Sequence, residues 1–327
     1  MIPPSPSEFS PPAPGPVPVN ERKRLKIKHH VIYYSAQIII GMLLFLPISW
    51  VRVLGRTFGG WVFRLSKREK QKTLEGLAQA YPAELTSADR ARLARSVWVG
   101  LGQNLFETIR WFNWTREAIA GQVARIEGME HFHEAVKKGR GFFVVSGHLG
   151  NWELLASYLC SQGEGTAVAQ SLYDPRFDDL VTWFRNEKLG TKEMIKRGLA
   201  LRGILEAFKK GRFLIALCDQ DTGKDGVFVP FFGKPAWTQS GVARIAYKAE
   251  VPLVPAFMVR GKDGLFELHV EKEIEIPRTG NKEADVLETV RRITAVIEKY
   301  VKTYPDQWMW MHERWKTKPK KDIGSFG

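Results

Sequence analysis

The spacing of apolar and polar positions changes repeatedly along the chain, between the period of a helix and the short continuous runs of buried strands. Between Thr86 and Phe112 apolar residues recur at helical spacing, and Asp89 stands where a capping box with Thr86 needs an acid. Short apolar runs predict strands at residues 142–145, 166–169, 212–218, 253–259 and 265–270. Helical spacing predicts helices after residue 151 and at residues 176–189, 201–209, 241–249 and 284–304. This alternation is typical of an α/β domain with a mixed central sheet flanked by helices.

The N-terminal part of the chain differs from the rest in composition and charge. Residues 2–19 are dense in proline, which predicts a disordered tail, and basic residues follow up to position 28. The run Val31–Val51 carries no charge and, as a helix rising about 1.5 Å per residue, is just long enough to cross a bilayer. Because its far side is basic too, charge does not distinguish a spanning helix from an amphipathic or re-entrant one, and a buried pair of core helices is a third possibility. We predict an N-terminal hydrophobic membrane-anchor helix whose topology is open.

These observations divide the chain into four predicted parts. They are a disordered proline-rich and basic tail at 1–25, a membrane-associated helical segment at 26–66, one α/β domain at 67–317 and a basic C-terminal tail at 318–327. No linker-like break interrupts the third part, so a single domain is the simplest organisation.

The chain is strongly basic, with a formal net charge of +14 at pH 7. Such a charge favours an anionic partner, which is nucleic acid, an anionic membrane surface or a phosphorylated substrate. The basic residues are spread along the chain and no nucleic-acid-binding motif occurs, so a nucleic-acid partner is not predicted. Cys160 and Cys218 lie in apolar runs typical of a core, and no metal-binding spacing is present. We therefore predict no disulfide, no metal site and no cofactor.

One glycine-rich turn brings together residues that suit acid–base chemistry. The apolar run Phe142–Val145 ends at the sequence Ser-Gly-His-Leu-Gly, and Asn151 then favours the start of a helix. His148 thus follows a predicted strand, and Glu153, five residues later, lies in the first turn of the helix. An imidazole oriented by a carboxylate is the arrangement of a general base. The alternative is a core histidine beside a glutamate that the helix dipole favours at that position.

Four segments of the chain resemble the bacterial late acyltransferases of lipid A biosynthesis, the lauroyl and myristoyl transferases that carry a His-X4-Asp/Glu motif. The resemblance extends from about residue 30 to Lys316. The segments are GRGFFVVSGHLGNWEL at 139–154, FRNEKLG at 184–190, the stretch at 217–246 and QWMWMHERWK at 307–316. The resemblance implies a glycerolipid acyltransferase-like fold and makes residues 67–317 the catalytic domain.

The same resemblance implies a membrane-associated O-acyltransferase. It implies transfer of a fatty acyl chain from an acyl carrier protein thioester, or from acyl-CoA, to a hydroxyl of a lipid A-type glycolipid precursor. The reaction would take place at the bacterial inner membrane, on its anionic surface, with the active site facing the cytoplasm. His148 would be the base and Glu153 would orient it. Backbone N–H groups of residues 147–151 or an arginine would stabilise the oxyanion.

Five further residues are predicted to bind substrate. They are Arg185, Asn151, Asp219, Gln220 and Arg244. Arginine suits phosphate because its forked donors match phosphate oxygens, but a surface charge is the alternative for Arg185 and Arg244. Asp219 and Gln220 end a predicted strand, where α/β sites form, and a role in tying the following loop is equally consistent.

Some positions depart from the family pattern or allow two interpretations. Gly76-Leu77 stands where the family has Asn-Leu, and Asp174 is the residue nearest to a usual asparagine. The missing asparagine favours, as an alternative, the same chemistry on a lysophospholipid, a phosphatidylinositol mannoside-like glycolipid or an aminolipid. The apolar run Val227–Phe232 is either a core strand or part of an acyl-chain groove. Trp308 and Trp310 suit a membrane interface or, as the better prediction for at least one tryptophan of this segment, the core.

Overall fold

The computed structural model of the protein describes residues 27–169, 173–196, 200–223 and 225–319. The predicted tail at 1–25 and most of that at 318–327 lie outside the described residues. The chain first forms the helices α1 (Ile27–Phe45), α2 (Ile48–Leu65), α3 (Lys67–Ala80), α4 (Ser87–Arg110) and α5 (Arg116–Ala120). The following elements are β1 (Val123–Glu127), α6 (Met129–Lys137), β2 (Phe142–Ser146), α7 (Trp152–Gln162), β3 (Gly165–Ala169), α8 (Pro175–Trp183), β4 (Glu193–Lys196), α9 (Ala200–Lys209), β5 (Phe213–Leu217), β6 (Gly226–Phe231), β7 (Lys234–Gln239), α10 (Gly241–Ala249), β8 (Leu253–Arg260), β9 (Phe266–Val270) and α11 (Lys282–Thr303).

The central sheet has seven strands in the order β1-β9-β8-β2-β5-β3-β4. The pairs β8–β2, β2–β5, β5–β3, β3–β4 and β1–β9 are parallel, whereas β8 and β9 form an antiparallel pair. The predicted mixed central sheet flanked by helices is therefore confirmed. Strands β6 and β7 pair separately as an antiparallel hairpin.

Strand β2 lies at the centre of the domain and is buried along its whole length. Because side chains alternate along a strand, Phe143 and Val145 join one apolar cluster while Phe142 and Val144 join another. Helices cover both faces of the sheet, which explains why β2 is a continuous apolar run rather than an alternating pattern. The end of β2 is consequently held rigidly.

The structure confirms the predicted start of one helix and divides another predicted helix into two parts. Thr86 and Asp89 form the capping box of α4, in which each side chain accepts a hydrogen bond from the other residue's backbone N–H. The helix predicted at 176–189 is instead divided, because α8 ends at Trp183 and a π-helical turn, Phe184–Lys188, follows.

The uncharged run near the N-terminus forms two helices rather than one, because Pro47 separates α1 from α2. None of the helices within the described residues is both long enough and apolar enough to span a bilayer. A single anchor helix over this run is therefore not found.

Helix α2 is packed tightly against helix α4 through glycines. A Cβ atom on Gly59 would lie 2.1 Å from the carbonyl oxygen of Trp98, and one on Gly102 would lie 2.3 Å from that of Gly55. Only glycine permits this approach of two helix backbones. The opposite face of α2 is apolar and exposed, with Trp50, for example, 64% exposed. One face of α2 is thus buried against α4, and the opposite face is an exposed apolar surface.

Candidate active site

The candidate site lies where two parallel neighbouring strands end. Ser146 at the end of β2 pairs with Leu217 at the end of β5. His148 and Asp219 each follow two residues after these positions, so both side chains reach the same edge of the sheet. Clefts at the carboxyl ends of parallel strands are the usual place for α/β sites.

His148 and Asp219 are joined by direct contacts. Nδ1 of His148 lies 2.8 Å from Oδ1 of Asp219, and the backbone N–H of His148 donates to Oδ2 at 2.7 Å. Nε1–H of Trp308 donates to the same Oδ2 at 2.7 Å. Burial opposes ionisation of Asp219, but the charge of His148 and these hydrogen bonds outweigh it and hold its pKa well below the usual range. When the ring of His148 is neutral, Nδ1–H donates a hydrogen bond to this carboxylate, and the lone pair is on Nε2.

Two glycines make this geometry possible. A Cβ atom on Gly147 would lie 3.2 Å from Oδ2 of Asp219, in the space that the carboxylate needs. Gly150 has a φ of +60°, and a Cβ atom there would lie 1.8 Å from the carbonyl oxygen of Met258. The turn therefore requires glycine at position 150, and a side chain at position 147 would crowd the carboxylate that contacts His148.

The backbone N–H groups of the same turn already have hydrogen-bond acceptors within the protein. The N–H groups of residues 148–151 donate, in order, to Asp219, Gly147, Gln307 and Met258. The prediction that these groups form the oxyanion site is therefore wrong for residues 148–151, because each already has an acceptor.

Glu153 contacts an arginine instead of His148. Oε1 of Glu153 lies 2.5 Å from Nη2 of Arg185, and Oε2 lies 3.2 Å from Nε, so the pair is bidentate. Burial disfavours the charged guanidinium, but Glu153 outweighs it and raises the pKa of Arg185. The imidazole of His148 contacts the carboxylate of Asp219, which corrects the sequence-based pairing of His148 with Glu153.

The Glu153–Arg185 pair is expected to act as one unit. Glu153→Ala and Arg185→Ala should each lower kcat/KM, and the double variant should lose little more than the worse single variant. The expected coupling energy is about 0.5–3 kcal/mol, because either change already breaks the bidentate contact. Steady-state kinetics of the four proteins measure it. Losses that simply add would show that the two residues act independently.

The segment after α11 returns to the site and closes it. Gln307 accepts the N–H of Gly150, the N–H of Met309 donates to the carbonyl of His148 at 3.1 Å, and Trp308 forms a β-bridge with Leu149. Sequence reasoning did not predict this contact, because nearly 160 residues separate the two segments. The family-like segment at 307–316 was the available signal.

His312, which no sequence argument placed in the site, lies beside His148. The two ring centroids are 5.2 Å apart. Nε2 of Gln220 lies between the rings, 2.7 Å from Nε2 of His312 and 3.2 Å from Nε2 of His148. Gln220, predicted as a substrate-binding residue, thus contacts both imidazoles.

Comparison with known proteins identifies the family of the chain. The model of the family described as bacterial lipid A biosynthesis acyltransferase matches residues 20–317. The chain belongs to this family. It is an acyltransferase.

The sequence of the acyltransferase aligns over most of its length with several curated relatives. It is 30% identical over 299 residues to a lipid A biosynthesis lauroyltransferase of Escherichia coli (strain K12), covering 89% of this chain and 94% of that protein. It is 28% identical over 282 residues to a lipid A biosynthesis palmitoleoyltransferase of the same strain, covering 84% and 87%. A phosphatidylinositol mannoside acyltransferase of Mycobacterium tuberculosis (strain CDC 1551 / Oshkosh) is 24% identical over 220 residues, covering 64% and 66%.

Two predicted substrate-binding residues of the acyltransferase have structural contacts instead. Asn151 caps α7 by accepting the N–H of Leu154 at 2.9 Å, as its position before the helix predicted. Arg244 forms a bidentate ion pair with Glu283 at 2.7 and 2.8 Å, and its Nε donates to Ser240. The structure therefore does not bring Arg244 into contact with His148 or Asp219.

The two departures from the family pattern have structural explanations. Asp174 caps α8 by accepting the N–H of Arg176 at 3.1 Å, and aspartate and asparagine are about equally good helix caps. Gly76 lies against Trp310, since a Cβ atom there would be 3.0 Å from its carbonyl oxygen. Each of these residues therefore has a structural contact of its own.

The C-terminal tryptophans belong to the core. Trp308 and Trp310 are each 1% exposed, and Trp315 is 4% exposed. The membrane-interface interpretation of these residues is therefore wrong, and the core interpretation is confirmed. Arg314 is buried too, and it donates to the carbonyl of Trp237 and the hydroxyl of Thr238 on β7. This segment fastens the β6–β7 hairpin next to the site.

Proposed function

We propose that the protein transfers a fatty acyl chain from an acyl carrier protein thioester to a hydroxyl of a lipid A-type glycolipid precursor. His148 would be the general base and Asp219 would orient it. The observation that carries the proposal is the 2.8 Å contact between Nδ1 of His148 and the buried Asp219, in a chain of the acyltransferase family. That contact leaves Nε2 of His148 as the atom that can accept a proton.

The reaction needs one base and no covalent enzyme intermediate. Nε2 of His148 takes the proton of the acceptor hydroxyl while its oxygen attacks the thioester carbonyl. The tetrahedral intermediate then collapses, the C–S bond breaks, and the protonated imidazole returns its proton to the thiolate. A positioned base of this kind contributes about 10²- to 10⁴-fold in rate. Asp219 stabilises the imidazolium that exists between the two proton transfers.

The cysteines are unsuited to carry the acyl group. Burial raises the pKa of the Cys218 thiol to about 12 and that of Cys160 to about 11. Both thiols therefore stay protonated at neutral pH, and the thiol is a poor nucleophile compared with the thiolate. This supports direct attack by the acceptor hydroxyl on the thioester.

Two classes of acceptor follow from the relatives. Most of the close relatives are named for lipid A biosynthesis, which favours a lipid A-type precursor, while the more distant mannoside acyltransferases favour a phosphoinositol glycolipid as the second candidate. For the donor, a net charge of +14 suits an acidic carrier protein. Such a donor requires a cytoplasm-facing site, and we place the enzyme at the inner membrane.

A panel assay separates these assignments. The detergent-solubilised enzyme is incubated with acyl carrier protein thioester or acyl-CoA, and with an under-acylated lipid A precursor, a phosphatidylinositol mannoside, a lysophospholipid or an aminolipid. We expect the fastest transfer with the carrier protein donor and the lipid A precursor. Transfer only to one of the other lipids would overturn the acceptor, and transfer only from acyl-CoA would overturn the donor.

We also propose that the exposed apolar face of α1 and α2 rests on the lipid surface. The large apolar residues of this face are all more than 40% exposed, and they include Ile38, Met42, Trp50, Phe58 and Trp61. An apolar groove of about 450 Å³ runs between the two helices. Arg64 at the end of α2 and Lys67 at the start of α3 are exposed and suit anionic headgroups. An apolar face with a basic border is the pattern of an interfacial membrane contact.

Replacing part of this face should weaken vesicle binding. Phe58→Ser combined with Trp61→Ser should reduce partition onto phosphatidylglycerol-containing vesicles about 10-fold or more, because two exposed aromatic side chains no longer leave water. Co-sedimentation measures the bound fraction. Leu287→Ser on α11, where the leucine is 42% exposed, is the matched control. Equal losses in both variants, or none in either, would contradict the assignment.

A further inference from the structure

A polar cavity opens beside the turn that carries His148, on the side of strand β8. It has a volume of about 980 Å³ and lies between α2, α4, the start of β1 and the turn that joins β8 to β9. Strand β8 is parallel to β2 and continues past the end of β2, so the cavity and His148 lie at the same edge of the sheet. None of the residues that line this cavity takes part in the proposed proton transfers.

The lining of the cavity carries an excess of positive charge. Five of its side chains are basic and three are acidic, namely Arg56, Arg95, Arg125, Arg260 and Lys262 against Asp263, Glu267 and Asp306. The basic residues come from α2, α4, β1 and the β8–β9 hairpin, so the fold brings them together from separate segments. An excess of two positive charges matches the about two negative charges of a phosphate monoester at neutral pH.

The positive charges of this lining act on one another. Arg260 and the neighbouring Arg52 share one carboxylate, that of the buried Glu107. Burial lowers the pKa of Arg260, and the charges of Arg52 and Arg56 act in the same direction. Glu107 opposes them without reversing the shift. A bound anion would relieve the repulsion that remains.

Within the described part of the chain, two arginines of this lining have no acidic partner. No carboxylate oxygen of the described residues lies within 4.0 Å of a nitrogen of Arg56 or Arg95, and both residues are exposed. Arg95 reaches across to α2, because a Cβ atom on Gly60, about one helical turn after Arg56, would lie 3.8 Å from Nη2 of Arg95. Both guanidinium groups are thus free to bind a ligand, and their forked donors match phosphate oxygens.

Residues that line the cavity also contact the turn of His148. Nη2 of Arg260 donates to Oδ1 of Asn104 at 2.6 Å, and Nδ2 of Asn104 donates to the carbonyl of Gly150 at 2.8 Å. The carbonyl of Gln307 accepts the N–H of Gly150, and its side-chain Oε1 accepts the N–H of Arg260 at 2.8 Å. A ligand in the cavity would therefore lie beside the segment that holds the proposed base.

We propose that this cavity binds a phosphate ester of a lipid headgroup and, resting on the acyl transfer proposed above, that this lipid is the acceptor. Helix α2 supplies Arg56 to the cavity and also carries the exposed apolar face that we place on the lipid surface. This favours a phosphate carried by a lipid over a dissolved phosphate. The cavity would hold the headgroup of the acceptor while His148 takes the proton of its hydroxyl.

A binding experiment without acyl donor tests the site. The full-length protein in dodecyl maltoside micelles is titrated calorimetrically with phosphatidic acid, with diacylglycerol or with inorganic phosphate. We expect phosphatidic acid to bind at least about 10-fold more tightly than diacylglycerol, which lacks the phosphate that accepts charge-assisted hydrogen bonds. Equal affinities for these two lipids would overturn the phosphate site. Inorganic phosphate that binds as tightly as phosphatidic acid would overturn the lipid as its source.

Matched double variants separate this site from general attraction to a basic protein. Arg56→Gln combined with Arg95→Gln should weaken phosphatidic acid binding at least about 10-fold, because two charged donors are lost. Arg202→Gln combined with Arg291→Gln removes the same charge from exposed side chains of α9 and α11, and it should leave the affinity unchanged. Equal affinities of the two double variants would overturn the site.

Kinetics connect the site to the acceptor. With an under-acylated lipid A precursor that carries a phosphate monoester, Arg56→Gln combined with Arg95→Gln should raise KM about 10-fold and leave kcat nearly unchanged, since these arginines bind substrate without taking part in the proton transfers. After a phosphatase has removed the phosphate, this variant and the wild type should have the same KM. An equal rise in KM for both forms of the lipid would overturn the acceptor role.

Failure of the site and failure of the acyl transfer are distinguishable. If the wild type transfers no acyl group to any lipid tested, the proposed function is overturned, and the calorimetric titration still decides whether the cavity binds phosphate. If the wild type is active but phosphatidic acid binds no better than diacylglycerol, the phosphate site is overturned and the proposed function stands.

Discussion

His148→Ala is expected to lower kcat/KM for acyl transfer about 10²- to 10⁴-fold, because the acceptor hydroxyl then has no positioned base. The fold should remain, since the His148 side chain is 20% exposed and Asp219 keeps the hydrogen bonds from the backbone N–H of residue 148 and from Trp308. Initial rates of acyl transfer measure the loss, and circular dichroism checks the fold.

His131→Ala is the matched control for this change. His131 lies on α6, and its side chain is also 20% exposed. The His131→Ala protein should retain the wild-type kcat/KM. A folded His148→Ala protein with near wild-type activity would remove His148 from the mechanism.

Asp219→Asn is expected to have the second large effect, a loss of about 10²- to 10⁴-fold in kcat. The carboxylate accepts three N–H donors, and an asparagine amide would turn its own hydrogens toward at least one of them. The imidazolium would also lose its counter-charge. Asp179→Asn, at an exposed position of α8, is the control and should leave kcat unchanged. Equal activity of the two variants would show that Asp219 does not orient the base.

The same carboxylate links stability to pH. Since the pKa of Asp219 is lower in the folded protein than its usual value, its contribution to the free energy of unfolding is fully present above that usual value. The contribution is lost as pH falls through the folded-state pKa. Asp219→Asn should therefore flatten the acid side of the stability curve, which denaturant unfolding at several pH values would measure.

Local patterns predicted the elements of the fold well where each element has its own signal. The strand at 142–145 is a continuous apolar run because β2 is buried on both faces, and the helix at 241–249 begins and ends as α10 does. Strand β1 was not predicted, because its residues after the first are exposed and its burial pattern does not alternate. Such an edge strand carries little hydrophobic information.

The partner of His148 could not be predicted from the sequence, because it comes from a distant segment of the chain. The spacing of His148 and Glu153 suggested a pair, but Asp219, 71 residues from His148, is the partner of the imidazole. Adjacency of β2 and β5 brings the two residues together, and strand order is not readable from local periodicity. Gln220 was chosen for its place at a strand end, and His312 was missed because its segment folds back only after α11.

The N-terminal run illustrates a different limit. Its lack of charge was interpreted as a membrane anchor, yet one face of α2 packs on α4 through Gly55, Gly59 and Gly102. The buried charge of Glu107 also depends on contacts between distant segments. Glu107 is 0% exposed and forms ion pairs with Arg52 and Arg260. The number of apolar residues in a helix does not show whether its apolar face packs against protein or against lipid.

The most direct test of acyl transfer with His148 as base is one side-by-side assay. Purified, detergent-solubilised wild type and His148→Ala are each given radiolabelled acyl carrier protein thioester and an under-acylated lipid A precursor. We predict that the wild type moves label into the lipid as an ester and that the variant does so at a rate at least about 100-fold lower. Equal labelling by both proteins would contradict the role of His148, and no labelling by the wild type would contradict the donor–acceptor pair.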